Sequence, residues 1–258
     1  MNDNTFRDRL MNFEGKMVAD IPFCNVINSA DQQETLHLDI YLPPGDSQAL
    51  IPAVLWFHGG AFRPGNDKRQ VYIPRFASAF ASLGYVGIAP DYRVRADPKT
   101  DIKSTVRDAV ADGRAAWEWV RKHAHEYQID PNRIALAGGS AGGMLVLNLV
   151  HDPSAPLDAR KDGLFAVLDL WGTPGDKNRL FEQVNPRSPA TLIVHGTADA
   201  LVPYEGSVNF SKELSAAGVE NKLLTLPDAP HTPLMHMDRI VTETAQFFTR
   251  VLSSSPKT

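Results

Sequence analysis

The chain has 258 residues, with Lys+Arg 26 against Asp+Glu 30, a formal net charge of −4, and 43% hydrophobic and 22% charged residues. That balance excludes a broadly basic nucleic-acid-binding surface, and the ordinary apolar content excludes disordered and collagen-like chains. One cysteine, Cys24, excludes an intrachain disulfide and a cysteine-rich metal site, and no run reaches the ~18 apolar residues of a membrane span. The length suits a single domain over 1–258. The N-terminus has no basic stretch followed by an apolar one, so the chain reads as cytoplasmic. A secreted form whose signal has been trimmed is also compatible.

Residues 1–20 are polar and irregular and read as a loose arm or a short helix. Thr35 to Leu42 alternates apolar and polar residues, the period of a half-exposed strand, and Pro43-Pro44-Gly45-Asp46 then marks a turn. Pro52 to Phe57 is continuously apolar, as suits a strand buried on both faces of a parallel sheet. Similar runs recur at Tyr85 to Ala89, Arg133 to Ala137, Leu164 to Leu170 and Thr191 to Val194, with a strand-like Lys222 to Leu226. Between them, Arg75 to Leu83, Ile102 to Ala124, Val208 to Ala217 and Met235 to Leu252 carry apolar residues at helical spacing. The alternation predicts an α/β fold: a mostly parallel sheet covered by helices on both faces, with an antiparallel edge formed by Thr35 to Leu42 and a strand before it. Ser253-Ser254-Ser255-Pro256 reads as a fraying tail.

Gly138-Gly139-Ser140-Ala141-Gly142-Gly143 lies between the apolar run ending at Ala137 and the apolar Met144 to Val150. Gly-x-Ser-x-Gly between a strand and a helix is the nucleophile-elbow pattern. A serine on so tight a turn needs flanks without side chains, and the helix starting there points its amides at charge forming on the serine oxygen. His58-Gly59-Gly60-Ala61-Phe62, directly after a buried strand, can turn backbone N–H groups toward the same point. Gly60, Ala61 and the residue after the serine, Ala141, are the expected oxyanion-hole donors, with Gly59 supplying the turn and His58 a structural role.

A serine hydroxyl needs a base. Hydrolases with this elbow run serine, acid, histidine along the chain, which leaves His151, His195, His231 and His236. His151 falls too far along the elbow helix, His195 closes a strand, and His236 opens the last helix. His231 lies in a loop at a strand end and is preferred. Asp199, after the Thr191 to His195 strand, is the preferred acid over Asp169, Asp176 and Asp228. An aspartate there would hold the imidazole tautomer and stabilise the imidazolium.

These stretches, together with Asp39-Ile40-Tyr41-Leu42-Pro43, Asp91-Tyr92-Arg93, Asp130-Pro131-Asn132-Arg133-Ile134 and His195-Gly196-Thr197-Ala198-Asp199, resemble the α/β-hydrolase superfamily. The branch most similar is the hormone-sensitive-lipase-like and bacterial carbohydrate-esterase one. The resemblance implies Ser140, Asp199 and His231 as a triad, the loop after His58 as an oxyanion hole braced by Asp91-Tyr92-Arg93, and no cofactor or metal. Ala61 departs from the third glycine that the esterase loop often carries, but keeps its N–H. An inserted helical lid in this superfamily enters between Trp171 and Thr191, where the spacing leaves no room for a sizeable one. An open cleft is expected, lined by Phe62, Trp171, Leu201 and Val202. The implied substrate is a small-molecule or carbohydrate ester: short-chain or aryl, including acetyl or feruloyl esters of plant carbohydrate. A serine peptidase or amidase on the same fold and a non-catalytic ligand-binding homologue are the alternatives. No nucleic-acid or membrane partner is implied, and the oligomeric state is unspecified.

Overall fold

The structure, a computed structural model, describes residues 13–45, 49–152, 157–158, 161–174 and 184–254. In chain order the elements are β1 (Lys16–Ile27), β2 (Gln33–Leu42), β3 (Ile51–Phe57), α1 (Tyr72–Ser82), β4 (Val86–Pro90), α2 (Ile102–Lys122), β5 (Ile129–Gly139), α3 (Ala141–Val150), β6 (Leu164–Leu170), β7 (Ala190–Gly196), α4 (Tyr204–Ala216), β8 (Asn221–Leu226) and α5 (Met237–Ser254). Short 3-10 turns cover Ala124–Tyr127 and Leu234–His236.

All these strands form one eight-stranded sheet in the order β1-β2-β4-β3-β5-β6-β7-β8. The β1/β2 and β2/β4 pairs are antiparallel and the rest are parallel. The continuous apolar runs are explained by what covers them. Along β3, Ala53, Leu55 and Phe57 pack on one face with α2, α3 and α4, while Val54 and Trp56 pack on the other with α1 and α5. Trp56 is fully buried and stacks on Phe76 of α1, ring centroids 5.2 Å apart, so neither strand face can carry a polar residue cheaply.

The helices begin and end on local signals. Asp101 caps α2 by accepting from the Ser104 N–H at 3.0 Å, and Arg121 and Lys122 face the negative end of its dipole. The expected helix to Ala124 therefore ends slightly earlier, its last turn tightening to 3-10 geometry before Gln128 takes a left-handed φ of 58°. Helix α1 starts at Tyr72 and α4 at Tyr204, each a few residues before the expected bound. The last helix starts at Met237, so His236 lies in the 3-10 turn before it.

Residues 16–20 are not a loose arm: they open β1, the strand foreseen before Thr35 to Leu42, while residues 1–12 of that expectation lie outside the described residues. The strand escapes a periodicity reading because it is a largely exposed edge with register shifts between Val18 and Ile21 and between Pro22 and Cys24. Its proline is tolerated only at such an edge. Cys24 on this strand is half-buried. Asp46 of the expected turn and Ser255-Pro256 of the tail lie outside the described residues.

Candidate active site

Ser140 sits where β5 gives way to α3, at φ 55° and ψ −116°. A left-handed backbone of this kind costs a non-glycine residue about 1–3 kcal/mol, so its surroundings must hold it. The Ser140 N–H donates to Leu170 O at the end of β6 at 2.8 Å, and the Met144 N–H donates to Ser140 O at 3.0 Å. The adjoining glycines are required by space. A Cβ on Gly142 would lie 2.1 Å from Phe57 O, and one on Gly138 would lie 2.2 Å from Gly142 O. The first turn of α3 can press against the ends of β3 and β5 only because these positions are bare.

His231, in the loop after β8, brings its Nε2 to 2.9 Å from Ser140 Oγ and its Nδ1 to 2.7 Å from Asp199 Oδ2. A carboxylate only accepts, so Nδ1 carries the proton and Nε2 turns a lone pair to the serine hydroxyl. Asp199, in the loop after β7, has a fully buried side chain. Its Oδ1 accepts from the Leu201 and Val202 N–H groups at 2.8 and 2.9 Å. Burial pushes its carboxyl up, but the Val202 amide, the His231 bond and the Leu201 amide outweigh it and hold the group below the ordinary carboxylate range. The structure thus joins Ser140, His231 and Asp199 in one hydrogen-bonded chain. His151 is the buried cap residue of α3, and Asp228 sits in a turn at φ 54° with its N–H on Thr197 Oγ1. Asp176 lies outside the described residues.

The loop after β3 lies against the serine: a Cβ on Gly59 would be 3.2 Å from Ser140 Cβ. The Gly59 N–H is taken by Gln70 Oε1 at 2.8 Å. The N–H groups of Gly60, Ala61 and Ala141 have no acceptor among the described residues. Gly60, Ala61 and Phe62 are consecutive at positive φ, 97°, 53° and 60°, and the Cβ position of Gly60 is filled by the Asn66 side chain. So contorted a loop needs bracing. The Tyr92 hydroxyl donates to His58 O at 2.8 Å, and the Tyr92 ring stacks on His58 at 4.1 Å. Asp91 accepts from the backbone N–H and Nζ of Lys68 at 2.9 and 2.8 Å. Arg93 turns elsewhere, from the loop to Asp112 in α2. His58 bonds Gly59 O through Nδ1 at 2.9 Å, and burial lowers its imidazole below the ordinary range, which keeps it neutral.

Two expected cleft residues are core instead. Phe62 is buried edge-on to Tyr92, whose ring fills the space beside the loop, and Trp171 is fully buried edge-on to Tyr72. Val202 is half-buried and Leu201 is exposed beside Asp199. Sequence reasoning missed Gln70 and Tyr72, whose hydroxyl donates to Gly139 O at 3.3 Å; neither carries a motif. It also left buried Asp169 with no role, although its Oδ1 accepts from the Gly172 N–H at 3.1 Å.

The same fold recurs among solved structures. Thermogutta terrifontis esterase 2, in a form phosphorylated by paraoxon, is similar with a TM-score of 0.74 and 25% identity, over 95% of this chain and 98% of that one. The chain belongs to the α/β-hydrolase superfamily. A truncated carbohydrate esterase from gut microbiota shares the fold at 21% identity and a TM-score of 0.71, over 93% of this chain and 97% of that one. The BD-FAE family model matches residues 38–154, which carry the elbow, and the prolyl oligopeptidase family model matches residues 165–255, which carry Asp199 and His231. Among curated proteins, a probable carboxylic ester hydrolase, LipM, of Mycobacterium tuberculosis is 35% identical over 69% of this chain and 48% of its own length. Para-nitrobenzyl esterase of Bacillus subtilis is 30% identical over 72% of this chain and 37% of its own. The chain thus spans less than half the length of these two relatives. Both relatives carry ester-hydrolase names, and the chain is similar to the hormone-sensitive-lipase-like esterase branch of the superfamily.

Among the described residues no helix is long and apolar enough to cross a membrane.

Proposed function

We propose that this α/β-hydrolase is a serine carboxylesterase acting on short-chain or aryl esters, acetyl or feruloyl esters of plant carbohydrate among them. The observation that carries the reading is the unbroken Ser140–His231–Asp199 chain beside three N–H groups that have no acceptor among the described residues. Ser140 Oγ attacks the ester carbonyl while His231 Nε2 takes its proton. The imidazolium so formed is held by ionised Asp199 through Nδ1. The carbonyl oxygen becomes an oxyanion, which the Gly60, Ala61 and Ala141 N–H groups would receive. His231 returns the proton to the departing alcohol, leaving an acyl-enzyme on Ser140. Water, deprotonated by His231, then releases the acid and restores the serine.

The ester substrate is supported by the relatives' names; the carbohydrate-ester refinement rests on the sequence resemblance and on the short stretch between β6 and β7, which suits an open site. Purified protein should release p-nitrophenol from p-nitrophenyl acetate and butyrate, and should lose activity on stoichiometric phosphorylation of Ser140 by paraoxon. Ser140→Ala should lose at least about a thousandfold in kcat; full activity in that variant would end the reading. Absence of a paraoxon adduct would favour a non-catalytic binding protein. The prolyl oligopeptidase match over 165–255 supports a peptidase or amidase as second reading, and amide turnover exceeding ester turnover would select it. A panel of acetylated and feruloylated saccharides beside simple aryl esters separates the substrate classes.

A further inference from the structure

Asp199 Oδ2 is shared by two imidazoles. His231 Nδ1 approaches it at 2.7 Å, and His195 Nε2, at the end of β7, approaches it at 3.0 Å. His195 Nε2 is also 3.0 Å from Val202 O, and its Nδ1 is 2.7 Å from Ser207 Oγ in α4. His195 and Ser207 are both completely buried. The protons follow from these partners. Nε2 faces a carboxylate oxygen and a carbonyl oxygen, neither of which can donate, so Nε2 carries the hydrogen. Nδ1 is then a lone pair and accepts from the Ser207 hydroxyl. The titratable groups facing this ring are Asp199 and His231, with Tyr204 edge-on at a centroid distance of 5.9 Å. Burial lowers the imidazole below its ordinary range, consistent with an uncharged donor.

We propose that His195 is a positioning residue of this site: a neutral imidazole, locked by Ser207 as the Nε2–H tautomer, that donates to Asp199 Oδ2 and fixes the carboxylate that orients His231. This rests on the esterase reading above. With both Oδ1 amides in place, the four donors leave the carboxylate no freedom to rotate. The His195 donor also draws off part of the negative charge that His231 feels, so the His231 proton is held less tightly and returned more readily to the leaving group. His195 touches no reacting atom and acts only through Asp199.

The test uses His195→Leu, which removes the donor, and His195→Gln, which keeps one, with p-nitrophenyl butyrate as substrate across pH. A hydrogen bond to a charged group is at stake, so His195→Leu should lower kcat about ten- to hundredfold with KM little changed. Without the donor, more charge on Oδ2 holds the His231 proton more tightly. The acid limb of kcat/KM should therefore move to higher pH, by about half a unit or more. His195→Gln should recover most of the loss. An unmoved acid limb in folded His195→Leu, or equal losses in both variants, would overturn the proposal. If His195→Leu does not fold, the unsubstituted protein decides alone: nitrogen-15 spectra should show His195 protonated at Nε2 and uncharged throughout the active pH range. An Nδ1–H tautomer or an imidazolium there would overturn it. Activity surviving in Ser140→Ala would instead overturn the esterase reading, so the two failures are distinct.

Discussion

Asp169 gives the sharpest test of how burial governs this site. It lies on β6, paired with Gly138, directly below the elbow. Its side chain is completely buried, and Oδ2 has no hydrogen-bond partner among the described residues. Its Oδ1 lies 2.3 Å from the Cβ position of both Gly143 and Gly172, so it fills the seam between the first turn of α3 and the turn after β6. Burial raises its carboxyl from 3.8 to about 7, against the lowering effect of the Gly172 N–H. The folded chain thus binds this proton more tightly than the unfolded chain. Below the unfolded value both states are protonated and there is no penalty. As pH rises from there toward 7, the unfolded chain ionises and the folded chain does not, and stability falls. At about 1.4 kcal/mol per unit, the full penalty is about 4 kcal/mol above neutrality, and about 3 kcal/mol of it develops between pH 5 and pH 8. Asp169→Asn matches the neutral acid in shape, keeps an acceptor for Gly172 and cannot ionise. Urea denaturation of both proteins at pH 5, 6, 7 and 8 should show the variant gaining on the parent by about 3 kcal/mol across that range. In thermal melts the gain is roughly 6–12 °C. Every other titrating group is common to both, so the difference isolates this carboxyl. A gap that stays flat with pH, or closes as pH rises, would refute the reasoning.

The remaining expectations concern the backbone around Ser140. At Ser140 the left-handed φ favours glycine over alanine, so Ser140→Gly should be about 1 kcal/mol more stable than Ser140→Ala in chemical denaturation. Equal stability would mean that the elbow stores no strain. Gln70→Leu frees the Gly59 N–H and loosens the loop after β3 without touching Ser140, His231 or Asp199; on the proposed mechanism kcat should fall about tenfold, with KM nearly constant. An unchanged kcat would show that the Tyr92 and Asp91 contacts suffice. In Gly142→Ala the new methyl meets Phe57 O at 2.1 Å, so α3 must back away from β3, and activity and melting temperature should drop together. A variant with parental activity would contradict that packing.

What could be read from the sequence tracks how local the physics is. The Pro52 to Phe57 run announced a buried strand because both of its faces meet helices, a condition written into consecutive residues. The elbow was legible because Gly138 and Gly142 have backbone carbonyls where side chains would go, which no other residue tolerates. Asp199 and His231 were legible by order and by the strand ends before them. Phe62 and Trp171 were misassigned to the cleft because an aromatic residue near a motif looks the same whether it lines a cleft or seals the core. The choice is made by partners distant in the chain, Tyr92 for Phe62 and Tyr72 for Trp171. Gln70 was invisible because its partner, Gly59, is set by the path of a loop. His195 lies between these cases. A histidine four residues before the preferred acid is in plain view, yet its place at the end of a strand turns a search for the base toward the loop histidine instead. The carboxylate has a wider requirement than the triad: each oxygen of a buried, ionised Asp199 needs donors, and its Oδ2 draws on two histidines. A search for the base alone finds one of these donors; counting what the buried acid needs finds both.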